Sequence, residues 1–92
     1  MSIVVRFHPS NLTAEKYDEM HPKIEAAGFP ADGLDYHICF GKSDDKLVVS
    51  EIWDSREQFQ AWGEKLMPIL MEHGMEFSGE PEVFEVHNLV KR

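Results

Sequence analysis

The chain has 92 residues, which suits one small domain spanning residues 1–92, a size at which the buried fraction is modest and a dimer interface is a common way to bury more. Its 42% hydrophobic and 28% charged residues describe a folded, water-soluble protein, and a formal charge of -8 with no basic stripe argues against a nucleic-acid partner. Cys39 is the only cysteine, which excludes an intrachain disulfide; the start, MSIVVRFHPSN, lacks a cationic leader with a long apolar core, and no apolar run nears the roughly 20 residues that cross a bilayer, so a cytoplasmic protein without a membrane partner is expected.

Ile3 to Phe7 alternate as a first strand, closed by His8-Pro9. Asn11 or Thr13 can cap a helix beginning near Ala14, with Glu15 in the first turn where the helix dipole favours an anion. Leu12, Tyr17, Met20 and Ile24 form its core face; Pro22 predicts a kink or a restart, and Gly28 ends it. The turn cluster Gly28 to Gly33 leads into a second strand, Leu34 to Phe40, with Leu34, Tyr36, Ile38 and Phe40 on one face and Asp35, His37 and Cys39 on the other. A polar loop from Gly41 to Asp45 joins it to a third strand ending at Trp53. If Gly41 pairs with Leu47, His37 lies opposite Glu51 and both point to the Trp53 face; a one-residue slip would part them.

Ser55 then fits the N-cap of a long helix, and Gln58 stands at the spacing that lets its side chain reach back to the Ser55 amide. Phe59, Trp62, Leu66, Ile69, Leu70 and His73 recur at steps of three and four as one apolar stripe, with Pro68 predicting a kink and Gly74 the end. Glu82 to Val90 is the last predicted strand. The order βαββαβ, with right-handed crossovers, favours an α+β ferredoxin-like fold: a four-stranded antiparallel sheet with both helices on one face. Apolar residues on both sides of the strands leave a large patch away from the helices, which a second copy packing sheet on sheet would cover.

The run LVVSEIWDSREQFQAW from Leu47 to Trp62, with this element order and length, resembles the dimeric α/β-barrel superfamily, in particular its antibiotic-biosynthesis-monooxygenase-like branch. The resemblance covers essentially the whole chain. It implies a homodimer whose sheets form a barrel, with a small-molecule cavity between helices and sheet in each subunit. Some members oxygenate polycyclic aromatics with no metal or organic cofactor, and others cleave heme. Trp62, by its spacing after Trp53 and Phe59, matches the helix Trp lining the pocket of the heme-degrading members, but the position ten residues on is Glu72, with His73 one step beyond, and the first strand has Arg6 and His8 in place of their Asn.

Two sets of residues carry candidate chemistry. His37 facing the Glu51 carboxylate in a partly apolar barrel is a suitable general base for taking a proton from a phenol or enol before oxygen attack, or a satisfied structural contact. Trp62, Trp53, Phe59, His73 and Arg6 are the candidate ligand-binding residues, or, for the stripe, simply core. Five histidines fall in no HxH, HxxxH or HExxH spacing, so a metal site would need ligands converging in space, and no phosphate loop or Ser-His-Asp set appears. The expected function is binding of a small, largely apolar or aromatic molecule by a homodimer, resembling cofactor-independent monooxygenases. A non-catalytic ligand-binding or stress-response dimer and a heme-binding or heme-degrading protein are the alternatives.

Overall fold

A computed structural model describes all 92 residues, Met1–Arg92. The elements are β1 (Ile3–Phe7), α1 (Ala14–Ala26), β2 (Leu34–Gly41), β3 (Leu47–Trp53), α2 (Arg56–Glu72) and β4 (Glu82–Glu85), the order expected from the hydrophobic periodicities. They build one antiparallel sheet in the order β2-β3-β1-β4. The β2–β3 hairpin has the expected register, Gly41 opposite Leu47 and His37 opposite Glu51. A bulge between Leu34 and Tyr36 turns Leu34 to the helix side, opposite Trp53, and leaves Tyr36, Ile38 and Phe40 on the open side.

Both helices start where their caps predict. Thr13 accepts from the Lys16 amide, and Ser55 accepts from the Gln58 amide. The reciprocal bond at α2 differs from expectation: the Ser55 hydroxyl donates to the Gln58 side-chain oxygen. Helix α1 passes through Pro22 as one element and does not restart there. Proline removes the amide that would bond the Asp18 carbonyl, and burial of Met20 and packing of Tyr17 and Ile24 hold the turn together. Gly28 follows the C-cap with φ of 117°, a conformation that favours glycine.

Ile3, Val5, Trp53 and Trp62 form one buried cluster, and Leu12, Met20, Leu70 and Met75 a second. Both lie between the helices and the sheet. The open face carries Tyr36, Ile38, Phe40 and Phe84, each 42–53% exposed. Strand β4 is shorter than predicted, ending at Glu85 and not at Val90. Glu85 pairs with Ile3, the first residue of β1, and the Val86 amide bonds the Ser2 carbonyl, so no partner backbone remains to extend the ladder. The tail leaves the sheet edge, lays Leu89 and Val90 over the open face, and ends with Lys91 bonded to Asp35 at 2.7–2.8 Å above the Tyr36 ring.

Candidate active site

The helix side of the sheet places one acid among apolar neighbours. Glu51, on β3, is 3% exposed and would be costly to bury without partners. It has them. Its Oε1 accepts from the Trp53 indole N–H at 3.0 Å, and its Oε2 lies 2.6 Å from His37 Nδ1. The indole can only donate, so Glu51 acts as acceptor on that side, and a carboxylate facing Nδ1 fixes the His37 proton there. Nε2, 2.9 Å from the Tyr17 hydroxyl, is then the acceptor of the Tyr17 O–H. The result is a continuous line from the Trp53 indole through Glu51 and His37 to Tyr17.

The strands and α1 place these groups for different reasons. Cross-strand register sets His37 beside Glu51, and the period of two puts Trp53 on the same face two residues on. Tyr17 comes from the core face of α1, one turn before Met20. Its ring lies nearly parallel to those of His37 and His21, with centroids 6.1 and 5.6 Å away, while Phe29 packs on His37 at a steep angle, 5.0 Å away. Burial first, then the nearby Cys39, Glu51 and Asp18, raise the Tyr17 pKa above its ordinary value near 10, so the phenol stays protonated at neutral pH.

A cavity of about 70 Å³ opens against this line. Tyr17, His37 and Glu51 supply its polar groups, and Met20, Phe29, Leu66 and Met75 are among its apolar walls. Trp62 forms part of the wall, 4% exposed, with its indole N–H buried and unpartnered. Trp62, His37 and Glu51 thus converge on one space.

The other candidate residues lie elsewhere. Trp53, fully buried, sits behind Glu51, and Phe59 packs on Trp53 and Phe7 with ring centroids 5.8 and 6.0 Å away; neither lines the cavity. His73 is the C-cap of α2, outside the cavity, with its Nε2 buried and unpartnered. Arg6 projects from the open face, opposite Ser50 and Glu82, and lines a groove under the tail with Tyr36. Nowhere do three His, Cys, Asp or Glu side chains converge to hold a metal ion. Sequence reasoning placed Tyr17 in the core and missed its hydroxyl contact; its place on the helix face was the available signal.

No family model matches the chain, and no curated protein does. Solved structures do match it over nearly its full length. SnoaB, a cofactor-independent oxygenase from Streptomyces nogalater, superposes with a TM-score of 0.65 at 14% identity, covering 99% of this chain and 96% of that one. The protein YJCS gives 0.68 at 12%, covering 95% and 100%. The heme-degrading protein Rv3592 from Mycobacterium tuberculosis gives 0.55 at 21%, covering 99% and 100%. At such identities the likeness is one of fold: the chain has the ferredoxin-like fold of the antibiotic-biosynthesis-monooxygenase-like proteins, as its sequence resemblance implied. No helix is long and apolar enough to cross a membrane.

Proposed function

We propose that this protein is a cofactor-independent monooxygenase acting on a small, one-ring phenol or enolisable ketone, with the His37–Glu51 pair as its general base. The observation that carries the reading is the hydrogen-bonded line of Glu51, His37 and Tyr17 at the wall of an apolar cavity. A carboxylate behind an imidazole stabilises the imidazolium that forms when a proton is taken up. For a ketone with an adjacent ring CH2, proton removal leaves an enolate; dioxygen adds at carbon, and loss of water converts CH2 and O2 into C=O and H2O. The structural likeness to the cofactor-independent oxygenase SnoaB favours this chemistry.

The cavity sets the scale of the ligand. At about 70 Å³ it is smaller than the ~150 Å³ space that takes up a benzene, so one ring enters with adjustment of the walls, for which Met20 and Met75 are suited by their unbranched, adaptable side chains. The arrangement favours such a ligand over heme, since both His37 nitrogens are engaged and His73 lies outside the cavity.

The test is oxygen uptake with cyclohexanone and simple hydroquinones, on enzyme desalted after chelator treatment. Saturable uptake with formation of the 1,2-dione from cyclohexanone is expected; no uptake beyond buffer from a folded protein would remove the oxygenase reading and leave a binding role.

The working form in this reading is a homodimer formed by the open sheet faces. Tyr36, Ile38, Phe40 and Phe84 leave an apolar patch that the tail covers only in part, and two such patches face to face bury one another. Sedimentation at micromolar concentration is expected to show a dimer, and Ile38→Lys, which sets a charge at the centre of that patch, a monomer with unchanged circular dichroism. A wild-type monomer would contradict this assembly.

A further inference from the structure

The proposed base has no free nitrogen to offer. Nδ1 of His37 faces Glu51 at 2.6 Å and Nε2 faces the Tyr17 hydroxyl at 2.9 Å. The Tyr17 ring lies beside the imidazole, nearly parallel at 6.1 Å, and Phe29 packs on it at 5.0 Å and a steep angle. A ligand in the cavity therefore meets the line of polar groups at its far end, Tyr17, whose side chain is part of the cavity wall and whose oxygen keeps a lone pair beyond its bond to His37. We infer that Tyr17 is a catalytic residue of the proposed reaction: its phenolic oxygen takes the proton from the ligand as its own proton passes to His37 Nε2.

This inference rests on the base reading above and gives the order of its parts. One bond to hydrogen breaks on the ligand and one forms on the Tyr17 oxygen; the O–H of Tyr17 breaks and an N–H forms on His37. The ligand is left as enolate or phenolate and His37 as imidazolium against Glu51, with no other reactant consumed. The two transfers go together, because burial and the surrounding Cys39, Glu51 and Asp18 disfavour a free tyrosinate as a resting intermediate. Trp53 and Glu51 are positioning residues in this scheme: the indole N–H orients the carboxylate, and the carboxylate holds the His37 tautomer that leaves Nε2 as acceptor.

The experiment follows proton removal alone, in D2O under nitrogen, by exchange of the α-CH2 hydrogens of cyclohexanone. Tyr17→Phe removes a single oxygen and keeps the ring packed against His21. It is expected to lower the saturated exchange rate by roughly 100-fold, in the range that general acid–base groups supply, with a change of less than about threefold in half-saturation. In the ligand-free protein, 15N spectra should show His37 protonated at Nδ1, with an Nε2 resonance that moves in Tyr17→Phe. Exchange within twofold of wild type in Tyr17→Phe, beside an inactive His37→Ala, would overturn the relay and leave His37 acting directly. An Nε2-protonated resting His37 would overturn it too. Wild-type protein that exchanges no faster than buffer would overturn the base reading itself, and the relay with it.

Discussion

His37→Ala is expected to lower proton removal from bound cyclohexanone by roughly 10²- to 10⁴-fold, the contribution of a well-placed general base. The substitution deletes the only group between the Tyr17 hydroxyl and the Glu51 carboxylate. Tyr17 is then left with no acceptor for its proton, and its pKa, raised by burial, keeps that proton in place, so its oxygen cannot take one from the ligand. The fold should survive, because Glu51 keeps the Trp53 indole N–H and loses one donor, at a cost of about 1–3 kcal/mol. Imidazole added to the variant should restore part of the rate by entering the space the ring leaves. An exchange rate equal to wild type in a folded His37→Ala would place the base elsewhere.

Trp53→Ala should have the largest effect on stability. Trp53 is fully buried in the cluster with Ile3, Val5 and Trp62, and it gives Glu51 its only donor from within β3. Truncating a core aromatic costs about 3–5 kcal/mol, and the loss of a partner for a buried carboxylate about 1–3 more. Small domains have roughly 5–15 kcal/mol in total. The urea midpoint should fall steeply, or no folded baseline should remain. Trp53→Phe separates the two contributions: it keeps an aromatic ring and removes the N–H, so it should lose stability by the hydrogen-bond share and detach Glu51 from its fixed orientation. A Trp53→Ala midpoint within measurement error of wild type would contradict the packing described.

Much of this arrangement was legible before the structure. The hairpin loop between Gly41 and Leu47 is short, so a single register both closes it and buries one face, and that register sets His37 beside Glu51. The capping residues Thr13 and Ser55 mark both helix starts. What escaped the sequence depends on contacts between elements. The Tyr17 hydroxyl finds its partner on β2, twenty residues away, and a tyrosine on an apolar helix face reads as packing until the tertiary fold brings His37 to it. The end of β4 is set by where β1 begins, which no feature of residues 86–90 announces. His73 lies eleven steps after Trp62, nearly in line on an ideal helix, yet it is the C-cap, where the chain leaves helical geometry, and the cavity does not extend to it.

Strand β2 bonds only to β3, so the backbone along its other side has no ladder partner in the sheet. An edge of eight residues with Tyr36, Ile38 and Phe40 beside it is a template on which further strands can add. The bulge at Leu34 and the Lys91–Asp35 clasp blunt one end of it, and the remainder relies on mutual repulsion of copies carrying a net charge of -8. That repulsion reaches only about 8 Å at physiological salt and vanishes near the isoelectric point of 4.9. Mild acid is therefore the condition in which this protein passes most readily from solution into aggregates, and β2 is the seam along which they grow.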